Sequence, residues 1–243
     1  MAKKFSNIRC VYCLEHFEEL TSDHVLPKAW YPDNMPENIE KWQVPSCHKC
    51  NWEHGRNEEE LLLKLGLHFD PQEGFFKEIA KKVVRSISPS HGKSQRDREK
   101  RRKRKIRILK EIKRASNLDF SKSNILPGFG FNPNYFPHQQ PPLLVSEKEL
   151  QIFGEKVTRG VFYLVNNNKY IESDCEYKVY IPAENVPQEC RQVTRQYGKE
   201  YNCGPGLGVI MAICFDDAHS AILEIAIWDR LKIFSVITRR KPV

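Results

Sequence analysis

The sequence predicts a mixed α+β protein in three parts. These are an N-terminal zinc-stapled module, a helical basic middle segment, and a C-terminal α+β domain with an antiparallel sheet. Three observations carry this reading. Two Cys-x-x-Cys pairs, Cys10 with Cys13 and Cys47 with Cys50, lie near the N-terminus, and two such pairs can hold one tetrahedral zinc through four thiolates. From Lys93 to Arg114, 13 Lys or Arg face 3 acidic residues, so this stretch carries net +10 and the rest of the chain −2. After Ser146, short apolar runs bounded by turn residues read as strands.

The elements follow in order. Leu20 to Val25 reads as a short strand entering a turn at Pro27, and Lys49 to about Arg56 as a turn leading into a helix. Residues 58–88 read as helical: Glu58, Glu59 and Glu60 suit a first turn, Leu61, Leu62 and Leu65 recur at helical spacing, and Gly66 ends or loosens that helix. After Pro71 a second apolar stripe runs through Phe75, Phe76, Ile79, Ala80, Val83 and Val84. Residues 93–115 read as a helix with a long cationic face. Residues 116–145, with Pro127, Pro133, Pro137, Pro141 and Pro142, read as a linker or wrapping loop. Glu147 to Val165 and Asn185 to Tyr197 read as helices. Glu176 to Ile181, Gly208 to Phe215, Ala221 to Trp228 and Leu231 to Ile237 read as strands. The expected domains are therefore 5–57, 58–115, 116–145 and 146–243.

Composition excludes several classes. The chain has 243 residues, of which 40% are hydrophobic, enough for one or two domains with real cores. No apolar run is long enough to span a membrane, and Met1 to Ser6 lacks the apolar stretch of a signal peptide. Nothing marks secretion and the cysteine pairs have metal-ligand spacing, so a reducing cytoplasm is expected. Cys175, Cys190, Cys203 and Cys214 lack that spacing and read as core residues or incidental thiols. Cys203 to Gly208 is glycine-rich but lacks the Lys and Ser/Thr of a phosphate loop, so a tight turn is expected there.

The chemistry concentrates between the knuckles. Hydrolysis of a phosphodiester needs an activated water, a Lewis acid at the phosphate, and stabilisation of the leaving oxygen. His24 titrates near neutrality and can take a proton from water. Asp23 and Asn51 offer hard oxygens that suit Mg²⁺ (or Mn²⁺) with several waters. His54, one helical turn after Asn51, is a further candidate. His48, between two zinc ligands, reads as exposed. The zinc itself is closed by four thiolates and builds structure only.

In order, Cys10, Cys13, Asp23, His24, Val25, Pro27, Cys47, Cys50 and Asn51 resemble the zinc-knuckled form of the HNH endonuclease superfamily, the ββα-metal nucleases. The resemblance covers roughly residues 1–57. It implies a ββα-metal fold with His24 as general base and Asp23 and Asn51 as ligands of the catalytic metal. The family's middle Asn, which orients the histidine, has no clear counterpart: Asn38 is the nearest, and a backbone carbonyl is the alternative. By analogy with the family, mobile elements, restriction and phage defence are candidate settings, and residues 146–243 would dock a protein partner such as an ATPase.

Each feature has a plainer reading. Two Cys-x-x-Cys pairs can belong to a module that only binds DNA. Yet 33 residues separate Cys13 from Cys47, more than the ~15–20 of common ribbons, which favours an inserted hairpin with a function. The basic helix can be merely solvated. Beside the candidate site, Lys100, Arg101, Arg102, Lys103, Arg104, Lys105 and Arg107 point instead to a nucleic-acid polyanion. The expectation is a metal-dependent endonuclease acting on DNA, with RNA left open. The alternative is a non-catalytic zinc-containing DNA-binding protein that recruits a partner through its C-terminal domain.

Overall fold

The structure, a computed structural model, describes residues 5–33, 41–70, 74–117, 126, 129, 142–181, 186–202 and 206–240. The expected linker at 116–145 falls almost wholly outside these residues, as do Asn38, Cys203, Gly204 and Pro205. The fold is mixed α+β, with five α-helices and two antiparallel sheets among the described residues.

The first sheet has the order β1-β2-β3, formed by Phe5–Arg9, His16–His24 and Gln43–Ser46. β1 and β3 are too short and too polar to show a strand period. They exist because β2 pairs with each, Phe17 opposite Ile8 and Asp23 opposite Val44. Helix α1, His48–Gly66, leaves β3 almost at once. It is one continuous helix, so the break expected between a turn at Lys49 and a helix from Glu58 does not occur. Its end at Gly66 is as expected. There, a side chain at 66 would meet Val83 Cγ2 at 2.5 Å.

Helices α2 (Gly74–Ser86) and α3 (Gln95–Ala115) follow. Ser94 caps α3 by accepting from the Asp97 backbone N–H at 3.2 Å. Helix α4, Glu147–Val165, has the expected bounds and is buried on most of its circumference. The second sheet has the order β4-β8-β7-β6-β5 (Cys175–Tyr180, Leu231–Arg239, Ala221–Ile227, Leu207–Ile213, Lys199–Asn202), with α5, Gln188–Tyr197, before β5. β7 alternates as a strand with one buried face should: Ala221, Leu223, Ile225 and Ile227 are inward. β5 is four residues without an apolar alternation and was not legible as a strand.

The described residues divide into two compact units, one drawn from Met1–Ala29, Pro36–Glu58 and Lys148–Val243, the other from Trp30–Met35 and Glu59–Glu147. In the first unit α4 is the common wall. Its Gly154 lies against the β4 side chain Val179 and against Ile181, and its Gly160 against Val25, the residue after His24. Thr158 and Ser235 on β8 share a buried hydroxyl pair at 2.7 Å. Arg9 on β1 makes a two-pronged pair with Glu172, at 2.6 and 2.8 Å. In the second unit, Leu63, Val83 and Ile108 of α1, α2 and α3 form a shared core.

A Cβ at position 160 would stand 2.8 Å from Val25 Cγ2, and a branched buried side chain cannot swing clear. Gly160→Val should therefore cost about 1–3 kcal/mol of stability through overpacking. Chemical denaturation at neutral pH measures it; a loss confined to a few tenths would show that α4 is not clamped on the β2 end.

Candidate metal centre and active site

The four-cysteine cluster is built by three local structures. Cys10 ends β1, and a tight turn returns the chain to β2, with Cys10 N–H donating to Glu15 O at 2.9 Å and Leu14 at φ 65. Cys13 sits in that turn. Cys47 follows β3, and Cys50 lies in the first turn of α1, whose Asn51 N–H returns to Cys47 O at 3.0 Å. The four sulfurs lie within 4.8 Å of one another, and Cys13 and Cys47 are 4.0 Å apart. Tetrahedral zinc with Zn–S near 2.3 Å needs sulfurs ~3.8 Å apart, so the cluster fits such an ion with small adjustments. Two backbone N–H groups already point at sulfur, Cys47 N–H at Cys10 Sγ and Cys50 N–H at Cys47 Sγ, each at 3.4 Å. Such donors favour thiolates. The cluster can thus hold a structural metal ion such as zinc, tying the β1–β2 turn, β3 and α1 to one point.

The Asp23-His24 dipeptide ends β2, and neighbouring strand residues face opposite ways. Asp23 turns inward. His24 is half-buried, and its Nε2 meets the Gln43 side-chain amide nitrogen at 3.0 Å. These two residues are direct partners in the β2–β3 register. Gln43 therefore does what the sequence reading sought from Asn38 or a carbonyl: it fixes the ring. The donor leaves Nε2 as acceptor and puts the proton on Nδ1 in the neutral ring as drawn, and an amide flip reverses this assignment. Burial holds the His24 imidazole below its usual value, against the opposing pull of Asp23, with Lys156, Lys28 and Lys41 adding to the lowering.

Asn51 and His54 project from α1. The Asn51 amide nitrogen donates to Thr21 Oγ1 at 3.4 Å and to Ser22 O at 3.5 Å, both on β2. That bonding ties α1 to the strand of Asp23 and His24 and leaves the Asn51 side-chain carbonyl available. His54 packs edge-on against Tyr12, ring centroids 4.5 Å apart. Burial first, then the Lys156 charge, push its imidazole down to about 4. His48 is exposed, as expected.

One residue absent from the sequence reading dominates this region. Lys156 of α4 is 1% exposed. Its ammonium donates to His24 O at 2.6 Å, lies 3.2 Å from Asp23 Oδ2, and pairs closely with Glu58 of α1. Glu58 is itself buried, and burial raises its carboxyl while Lys156 opposes. The expectation that Glu58 lies in the first turn of a helix is thus corrected. It lies inside α1 and faces the lysine. His54 Nδ1 is buried without a hydrogen-bond partner, and the buried Asp23 Oδ2 faces the Lys156 ammonium. Burial, then the Asp23 and Glu58 charges, raise the Tyr12 hydroxyl well above its usual value. A pocket of about 470 Å³ opens beside this cluster, lined by His54, Lys156, Arg159, Glu53, Asn57 and Tyr177 among others.

The basic residues of α3 divide by face. Arg101 pairs with Asp97 at 3.2 Å and donates to Arg85 O; Arg104 pairs with Glu59 and donates to Ser86 O at 3.0 Å; Arg107 pairs with Glu60. These three bind elements of their own unit. Lys100, Arg102, Lys103 and Lys105 are exposed and make no ion pair among the described residues.

Comparison with protein-family models, with curated proteins and with solved structures gives no match. No described helix is long and apolar enough to cross a membrane.

Two outcomes follow from this geometry. Structural zinc at such a site contributes about 10–16 kcal/mol, much of it folding energy. Cys47→Ser should lose the metal and melt the β1-β2-β3 sheet, seen as lost metal by elemental analysis together with broadened amide signals for residues 5–57; a retained equimolar metal would contradict it. Lys156→Met should cost about 3–5 kcal/mol, because it leaves Asp23 and Glu58 as buried charges without their cation. Pairing Lys156→Met with Glu58→Gln should restore part of that loss in denaturant melts. A double variant as unstable as the sum of the singles would show the three groups to be independent.

Proposed function

We propose that this protein is a metal-dependent endonuclease that hydrolyses phosphodiester bonds in DNA, with His24 as general base. The observation that carries the reading is the fixing of His24 by Gln43 on one strand pair while Asn51 is tied to the same strand from α1, beside a four-cysteine cluster suited to zinc. A nuclease site needs such a set held rigidly.

His54 supplies an orphaned buried imidazole nitrogen, and Asp23 a buried carboxylate whose Oδ2 faces the Lys156 ammonium at 3.2 Å. Buried polar atoms without partners call for a water or an ion. With the Asn51 carbonyl these are the groups that would hold a divalent cation such as Mg²⁺ or Mn²⁺, which when bound would polarise the phosphate and neutralise the leaving oxygen. With the Gln43 amide turned so that its oxygen accepts from Nε2–H, His24 takes the proton of the attacking water on Nδ1. Its depressed basicity keeps the ring unprotonated at neutral pH, as a base must be. Gln43 holds the imidazole plane. Lys156 holds the His24 carbonyl and the Asp23 carboxylate, so α4 sets the position of both.

DNA is the substrate class that the charge favours. Lys100, Arg102, Lys103 and Lys105 form the solvent-facing part of α3 and suit phosphates. Arg101, Arg104 and Arg107 serve the helix packing as well. A cytoplasmic setting in defence against phage or in a mobile element, and a protein partner such as an ATPase, belong to this proposal through the family resemblance alone. The second reading, a non-catalytic zinc-containing DNA-binding protein, is favoured by one feature: Asp23 already has Lys156 as its counter-ion.

Incubation of supercoiled plasmid with Mg²⁺ separates the two. The wild type should nick or linearise it, and His24→Ala should reduce the rate at least about 10²-fold, the scale of lost general-base catalysis. Zinc content and helical circular dichroism should stay unchanged. Equal rates for wild type and His24→Ala would remove His24 from the mechanism.

A further inference from the structure

We infer that the outer face of α1 is a stacking platform for an unpaired nucleobase, formed by Trp52 with Arg56 and Lys49, an inference that rests on the nucleic-acid reading above. Trp52 is 56% exposed, while Trp30 and Trp228 are buried. Large aromatic side chains left in water mark contact sites. The Arg56 guanidinium lies over the Trp52 ring at 5.0 Å and holds it in place.

At roughly 100° per residue, positions 49, 52 and 56 share one stripe of the helix, and position 51 lies about 100° round from position 52. All three stripe residues are exposed; His54 and Asn57 face the pocket, and the exposed Glu53 lies beside Lys49 at the pocket edge. The stripe is thus aromatic with a cation at each end. That pattern suits a base on the ring and phosphates on Lys49 and Arg56. It also borders Asn51, so a strand lying on it runs past the candidate site.

Gly55 borders the stripe. It sits in mid-helix, exposed, between the faces of Asn51 and Trp52, and its backbone is not left-handed. A Cβ built there meets nothing within 4 Å. Glycine is disfavoured inside a helix relative to alanine. No neighbour in the chain requires it here. Charge selects the partner: the cations flanking the ring suit an anionic strand, and stacking needs a base that is free of its duplex.

The test uses the full zinc-loaded chain without Mg²⁺, so that no cleavage occurs, and single-stranded oligo(dT) and a blunt duplex as probes. Oligo(dT) should quench tryptophan emission in the wild type and bind more tightly than the duplex. Trp52→Ala should weaken oligo(dT) binding by roughly 5- to 150-fold, the scale of one stacked base, and Trp52→Phe by no more than a few-fold. Gly55→Leu should weaken it about 10-fold while leaving the thermal midpoint unlowered. Wild-type affinity in Trp52→Ala, or quenching that persists without Trp52, would overturn the inference. So would unchanged DNA binding accompanied by altered self-association, since the face would then contact protein. His24→Ala separates this from the enzymatic proposal. Trp52-dependent binding in a protein that never cleaves plasmid would sink only the nuclease reading, and cleavage untouched by Trp52→Ala would sink only the platform.

Discussion

Four sulfurs within 4.8 Å of one another are the constraint on which the candidate site depends. They come from the β1–β2 turn, the end of β3 and the first turn of α1. Those three pieces are too short to hold together by burial. β1 has five residues and β3 four, and a small antiparallel sheet of this kind is marginal in water. A metal ion bound at the cluster would join them covalently in effect, and would set the angle at which α1 leaves the sheet and so where Asn51 and His54 stand relative to Asp23 and His24. The metal and the candidate chemistry are separate, yet the second has no fixed geometry without the first.

A second constraint acts from the other side. α4 approaches the β2 end closely, with Gly160 at Val25, and places the Lys156 ammonium against the His24 carbonyl, Asp23 and Glu58. A lysine this buried is tolerated only with its charge met. Two carboxylates meet it, that of Glu58 raised by burial, while burial keeps His54 neutral. The same arrangement makes the C-terminal half of the chain a structural part of the site rather than an appendage.

Much of this was legible in the sequence, for identifiable reasons. The cysteine spacing is fixed by metal geometry, so it reads directly. α4 and the β7–β8 hairpin read well because their apolar residues recur with the period of the element. β1, β3 and β5 carry no such period, since their existence comes from pairing with β2 and β6 rather than from their own residues. Helix α1 was read as a turn from Lys49 and a helix from Glu58 because the acidic run at Glu58 looks like a first turn. The knuckle and the buried Glu58 instead carry the helix through. Lys156 gave no signal at all: a lysine in an amphipathic helix normally faces water, and only the fold brings carboxylates 98 and 133 residues away in sequence to it. Gln43 was hidden in the same way, because its role comes from lying opposite His24 in the register. For α3 the charge run was plain but the faces were not. Ile108 and the acids on α1 decide which arginines turn inward, and neither fact is visible in a run of cations.

The most direct test of the central claim is X-ray absorption at the zinc edge of the protein as purified from zinc-supplemented cells. One zinc per chain with four sulfur neighbours near 2.3 Å is the expected result. Zinc absent, or bound with nitrogen or oxygen neighbours in place of any of the four sulfurs, would contradict it, and with it the positioning of α1 against the strand that carries Asp23 and His24.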